Sequence, residues 1–299
     1  RRVESRVVCS LFKLTVFTKT LALRLSLTLC AASALEMARL QMILSPAKTL
    51  NFEACAVAEA AGRTVCAGLA RADELAAAVA SLSRSQLKAV LGVSDELAAE
   101  NFDRFKHWGK REQGYMTASL GEAESLQCIA AYDGMAYSKL LARTMTKADL
   151  QFAQGHLVIL SGMWGALRPL DAIKPYRLEM ATKTLDPPYN KLAQFWSEQA
   201  TATLLEGYDT KDLKKSNERV LVNIASDEYA AAIDVAAVAA TGVRVVKVDF
   251  LQAGKKAPSV HLKYSRGLMA RYAITNRCED LESLKLFDLE GYKFDPKAS

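Results

Sequence analysis

Among the residues able to do chemistry, Ser45-Pro46-Ala47-Lys48 comes first. An S-x-x-K spacing puts a hydroxyl and an amine on one helical turn, so that the amine can take the hydroxyl proton. Pro46 suits the first helical position after a Ser45 cap. Asn51 soon follows, however, and the S-D-N and K-T-G elements that accompany such serines in acyl transfer are missing. A capped turn after an edge strand is therefore the favoured reading, with Lys48 kept as a phosphate ligand. Asn223-Ile224-Ala225-Ser226-Asp227-Glu228-Tyr229 sets two carboxylates just beyond a strand, where α/β folds often place acid–base or metal-binding groups. Helix capping explains the same pattern without catalysis, since acids in a first turn complement the helix dipole. Ser161-Gly162-Met163-Trp164-Gly165 is a glycine-bearing turn that matches neither G-x-G-x-x-G nor a Walker A loop.

Cations come next. Arg168-Pro169-Leu170-Asp171 and Lys174-Pro175-Tyr176-Arg177-Leu178-Glu179 present three cations on proline-stiffened backbone, which suits bidentate recognition of phosphate or carboxylate. Internal pairing of Arg168 with Asp171, and of Arg177 with Glu179, is an equal alternative. Residues 252–278 contain Lys255, Lys256, Lys263, Arg266, Arg271 and Arg277 and no acid, the strongest polyanion signal in the chain. A solvated basic face is the competing explanation. His107, His156 and His261 lie far from one another and from cysteine, so no metal site can be read from spacing. An iron-sequestering site would need carboxylates converging on His107 or His156, and nothing in the spacing points to one. No cofactor motif is present.

The net charge of +6 over 299 residues misleads until it is located. Seven of the 39 basic residues (Arg1, Arg2, Arg6, Lys13, Lys19, Arg24, Arg39) and only two of the 33 acids fall in residues 1–41, leaving 32 cations against 31 anions. Residues 1–39 thus read as a targeting-like, disordered leader, rich in Arg, Ser and Thr. Its longest uncharged run, Leu25–Leu35, is 11 residues, short of the roughly 20 that span a bilayer, so no membrane partner is expected. Ala32-Ser33-Ala34 also fits a secretory cleavage site, and Met37 also fits a start residue. A genuine leader would direct the chain to plastid or mitochondrion; otherwise the cytoplasm is expected. Cys55, Cys66, Cys128 and Cys278 are widely spaced without C-x-x-C and read as buried thiols.

Residues 40–299 read as one domain. Apolar runs at Leu40–Leu44, His156–Leu160, Val220–Ala225 and Val243–Leu251 predict strands, interleaved with helical patterns. Residues 54–80 predict helix broken near Gly62 and Gly68, and Asn190–Glu206 predicts another. Ser83-Arg84-Ser85-Gln86 is a capping box, Gly92-Val93 a break, and Ser94 a second cap, together a helix-hairpin-helix candidate. Val260–Tyr264 alternates and predicts a hairpin partner for Val243–Leu251 across Gly254-Lys255-Lys256, with Ser265 capping a helix over Arg266–Arg277. The class is α/β: a single compact mixed α/β domain.

Taken together, these segments resemble the YaaA peroxide-stress family of bacteria. The resemblance rests on Leu44–Leu50, Leu160–Asp171, Pro175–Met180, Asn223–Tyr229, Arg266–Arg271 and Gly291–Asp295, in family order. It implies a compact α/β fold with a helix-hairpin-helix element and a positively charged cleft. It also implies binding of double-stranded DNA with little sequence preference, and survival of hydrogen peroxide by limiting iron-dependent damage. The cleft cations expected on that basis are Lys48, Arg168, Arg177, Lys263, Arg266 and Arg271, with Lys88 and Arg104 near the hairpin. Two departures stand out: Lys263-Tyr264 replaces the family's basic pair, and Leu91-Gly92-Val93-Ser94 lacks the second hairpin glycine. The reading favours binding over catalysis. The alternative is an enzyme acting on a phosphorylated or anionic small molecule, with Ser45, Lys48, Arg177, Asp227 and Glu228 in its site.

Overall fold

The computed structural model describes residues 10–17, 39–108, 125–208, 219–252, 254–297 and 299. In chain order the strands are β1 (Ser10–Phe17), β2 (Leu40–Leu44), β3 (Thr49–Leu50), β4 (Leu126–Gln127), β5 (Tyr132–Asp133), β6 (Leu157–Ser161), β7 (Gly165–Leu167), β8 (Ala172–Ile173), β9 (Val220–Asn223), β10 (Arg244–Gln252), β11 (Lys255–Lys256) and β12 (Tyr292–Phe294). The helices are α1 (Ala56–Ala61), α2 (Leu69–Ala80), α3 (Arg84–Leu91), α4 (Asp95–Lys106), α5 (Cys128–Ala131), α6 (Tyr137–Leu140), α7 (Lys147–His156), α8 (Leu192–Glu206), α9 (Asp227–Ala230), α10 (Val235–Ala240), α11 (Ser259–Thr275) and α12 (Leu281–Lys285). None of the described helices is long and apolar enough to cross a membrane.

Why these segments form one sheet follows from their side chains. β2 and β6 are buried at every residue, as strands covered on both faces must be, and both are mostly apolar, with Gln41 the one polar residue inside β2 and Ser161 ending β6. The main sheet runs β12-β1-β10-β9-β2-β6-β7, with β11 paired to β10. Its centre, β10-β9-β2-β6, is parallel, while β7 and β1 run antiparallel to their inner neighbours. The chain leaves β2 for β6 on one side and returns to β9 on the other. Strand order therefore reverses between β2 and β9, and a crevice opens outside their carboxyl ends. That crevice is where the candidate site lies.

The paired helices expected around Gly92 are present. Ser83 makes a full capping box with Gln86, Gly92 ends α3 in the left-handed conformation at φ 60°, and the Ser94 side chain accepts from Leu97 N. Local capping chemistry was enough to place these boundaries.

Two segments differ from their sequence reading. Val260–Tyr264 is the first part of α11, and β10 instead pairs with the two-residue β11. Pro258, at φ −57°, starts the helix, and Ser265 sits buried inside it with its hydroxyl donating to His261 O. Alternation over five residues is too short a pattern to separate strand from helix. Within the stretch read as a disordered leader, Ser10–Phe17 forms a strand, antiparallel to β10 and parallel to β12. Phe12 is fully buried, its ring 5.6 Å from those of Phe287 and Phe294. Residues 1–9 and 18–38, with the cleavage and start sites considered above, lie outside the described residues. Phe12→Leu is expected to cost about 1 kcal/mol, read as a lower urea midpoint. An unchanged midpoint would mean β1 adds nothing to the fold.

Candidate functional site

Ser45 leaves the end of β2 and meets Ser226 at the end of β9. The Ser45 hydroxyl accepts from Ser226 N at 2.9 Å and lies 3.2 Å from the Ser226 hydroxyl. The Tyr137 hydroxyl donates to Ser45 O at 3.1 Å, tying α6 to the same point. Residues 45–47 are not helical, so Ser45 and Lys48 do not share a helical turn and the S-x-x-K proton relay is absent. The Lys48 amine goes instead to Glu179 Oε2, at 2.6 Å.

Glu179 lies on the strap that follows β8. It also receives Arg177 Nη2 at 3.4 Å, while Arg177 Nη1 reaches Lys48 O at 3.5 Å. Arg177 Nε is buried with no hydrogen-bond partner among the described residues. The strap crosses close to the turn after β6: a Cβ on Gly162 would sit 2.7 Å from Leu178 O and 2.9 Å from the Glu179 carbonyl carbon. Only glycine lets the two backbones approach this far. Glu228 Oε1 accepts from Ala181 N at 3.0 Å and fastens the strap to α9. Beside the strap is an open cleft of about 250 Å³, lined by Arg177, Glu179, residues 181–184 and, opposite, residues 89–92 at the end of α3.

On the other side of Ser226 is a second charged group. Asp227 accepts from Lys247 Nζ at 2.6 Å, and that hydrogen bond, with the positive charges of Lys247, Lys256 and Arg266, holds its pKa below the usual carboxylate value. Arg266, from α11, is half buried yet makes no hydrogen bond or ion pair with any described residue. Burial lowers its pKa, and the carboxylates of Asp227 and Asp249 act against that shift. Sequence reasoning missed Lys247 and Asp249. Their signal was available: two charges at i and i+2 inside an apolar strand pattern share one sheet face.

The fold therefore brings together Ser45, Lys48, Arg177, Asp227 and Glu228, but it does not gather the eight expected cleft cations. Arg168 is buried, with Nη1 donating to Gln41 Oε1 and Nη2 to Thr203 O, both at 2.7 Å, and its backbone N donating to Asp171. Arg271 donates to Leu140 O, Leu141 O and Thr144 Oγ1 and closes the end of α6. Lys88 pairs with Asp95 at 2.8 Å, and Arg104 with Glu100. Lys48 and Arg177 share Glu179. Arg168 and Arg271 are spent on hydrogen bonds rather than ion pairs, and Lys263 and Arg266 alone among the eight have neither an ion pair nor a side-chain hydrogen bond to a described residue. From the same acid-free run, Arg277 pairs with Asp149, whereas the exposed Lys255 and Lys256 form no ion pair with a described residue.

The four described cysteines are free and buried. Burial raises the pKa of Cys66, Cys128 and Cys278 above the ordinary thiol value. A thiol that reduces peroxide needs the opposite, an accessible sulfur with a lowered pKa. The described residues contain no group of three or more His, Cys, Asp or Glu placed to hold a metal ion. The His156 ring is stacked on Phe152 and bonded to Phe152 O.

The family model described as peroxide stress protein YaaA matches residues 40–298. This chain belongs to that family. Family members similar to it include a UPF0246 protein of Paraburkholderia phytofirmans, 38% identical over 260 residues that span 86% of this chain and 94% of that protein. Another, from Verminephrobacter eiseniae, is 39% identical over 258 residues with the same two coverages. A third, from Burkholderia orbicola, is 37% identical over 258 residues, again 86% and 94%. The YaaA match spans the parallel centre of the sheet, the crevice and the strap, whereas β1 lies ahead of it.

Proposed function

We propose that this YaaA-family chain serves peroxide resistance by binding the phosphate backbone of duplex DNA with little sequence preference, thereby limiting iron-dependent damage there. One observation carries the reading. The acid-free run supplies four cations, Lys255, Lys256, Lys263 and Arg266, that the fold leaves without an ion pair or side-chain hydrogen bond to a described residue. They are neighbours: Lys256 and Arg266 both act on Asp227, Lys255 adjoins Lys256, and Lys263 lies one helical turn from Arg266. Cations set against phosphates displace the counterions condensed there, and iron held as such a counterion is displaced with them.

Four neutralised phosphates give a slope of log affinity against log salt of roughly −3 to −4, or about a hundredfold loss between 50 and 200 mM. The triple variant Lys256→Met, Lys263→Met and Arg266→Met is expected to weaken binding at least about tenfold, equally on unrelated duplexes. Fluorescence anisotropy with two labelled duplexes measures both. A flat salt response, or a triple variant that binds like the parent, removes the reading.

A further inference from the structure

We propose that Lys48 and Arg177 form a subsite for the terminal phosphate of a small phosphate monoester, which the Glu179 carboxylate fills in the unliganded protein. The site is distinct from the cations assigned to DNA, since it lies on the strap between Gly162 and α9. Two cations converge on one carboxylate here, and Glu228, whose Oε1 accepts from Ala181 N, makes no ion pair with either of them. Swinging Glu179 away leaves two positive charges, the match for a dianionic monoester rather than a singly charged diester.

Arg177 is also under-used. A guanidinium has five N–H donors, and among the described residues this one makes two bonds at 3.4 and 3.5 Å, the outer limit of a hydrogen bond, while its buried Nε has no partner there. A buried donor left unmet costs about 1–3 kcal/mol, so an acceptor that satisfies it binds with that advantage. Phosphate offers three oxygens where Glu179 offers two, which suits simultaneous contact with a planar fork and an amine.

The surroundings fit a small ligand. The cleft of about 250 Å³ opens on Arg177 and Glu179, with Thr182, Lys183 and Thr184 along one side and Ala89, Val90 and Leu91 along the other. Lys183 is exposed there and makes no ion pair with a described residue. Drug-sized ligands occupy about 300–1,000 Å³, so this volume suits a sugar phosphate or similar body. Strap backbone is held by Gly162 and by Ala181 N on Glu228, so exchange requires only the Glu179 side chain to turn.

Isothermal titration of the full chain with ribose 5-phosphate, and with dimethyl phosphate as the diester, tests this. Ribose 5-phosphate is expected to bind at least tenfold more tightly than dimethyl phosphate. Glu179→Gln is expected to tighten ribose 5-phosphate at least fivefold by removing the internal competitor, and Arg177→Met to weaken it at least tenfold. The Lys256, Lys263 and Arg266 triple variant is expected to leave it unchanged, which separates this site from the DNA reading. Equal binding of the two phosphates by the parent overturns the proposal whatever the variants do. So does a folded Glu179→Gln protein with unchanged or weaker affinity.

Discussion

Arg168→Met is expected to lower the unfolding free energy by about 3–5 kcal/mol, without any effect on DNA affinity of the fraction that stays folded. The methionine keeps the side-chain length but removes every donor. Gln41 Oε1 and Thr203 O then lose their partner inside the core, next to Gly207, whose added Cβ would lie 2.3 Å from Arg168 Nη2. Asp171 loses a nearby positive charge as well. It is already raised from 3.8 to about 6, chiefly by burial, with the Thr64 hydroxyl, the Arg168 backbone N and the Arg168 charge pulling the other way. An acid whose folded pKa lies above its unfolded value contributes most stability below the unfolded pKa, and that contribution is lost as pH rises through the folded one. Removing Arg168 pushes the folded pKa of Asp171 higher still. The deficit of the variant is thus expected to grow as pH rises above about 6. At about 2–4 °C per kcal/mol for a chain of this size, the fall in Tm is roughly 10 °C near neutrality. Thermal melts of both proteins at pH 5 and pH 8 measure it. A variant that melts normally but loses DNA binding would return Arg168 to the surface cations expected from the family resemblance.

Gly267→Ala is expected to destabilise by about 3 kcal/mol or more, against the usual sign for such a change in a helix. Alanine in place of glycine at an ordinary helical site stabilises by about 1 kcal/mol. Here the added Cβ would lie 1.9 Å from Ala136 O and 2.7 Å from the Ala136 carbonyl carbon. Both are backbone atoms, so α11 has to move off the start of α6. Leu268, Met269 and Ala270 are buried beside it, and Arg271 spans to the carbonyls that end α6. The shift therefore disturbs packing along several turns, which is the costly form of overpacking. Denaturant unfolding gives the sign directly. A stabilised Gly267→Ala protein would mean that the two helices are not in backbone contact, and that the glycine beside Arg266 has some purpose other than close approach.

These two residues also show why family motifs divide as they do. Arg168-Pro169-Leu170-Asp171 and Arg266-Gly267 look alike as exposed basic signatures in a sequence. In the fold, Arg168 and Gly267 are consumed by packing, and Arg266 is the one left unpaired. Of the two internal pairs considered, Arg177 does meet Glu179, whereas Arg168 reaches Asp171 only through its backbone N and gives its guanidinium to Gln41 and Thr203. Arg177 stays of interest because its pairing is incomplete.

Local chemistry determined much of this protein from residues close in the chain. Capping at Ser83 and Ser94, the breaks at Gly62, Gly68 and Gly92, and the apolar runs that became β2, β6, β9 and β10 depend on neighbours within about a turn, so the string of residues contains them. The same is true of the family motifs, which are short and ordered. Val260–Tyr264 marks the limit of such reasoning, since five alternating residues fit either period and Pro258 with α6 decided between them. Charge pairing lay wholly beyond it. Whether a lysine faces solvent or a carboxylate depends on groups brought close by strand order, as Lys48 and Glu179, 131 positions apart, meet only because β2 borders both β6 and β9. Electrostatic energy falls off over a few ångströms of space, not of sequence, so only the folded chain could separate the cations that are spent from those still available.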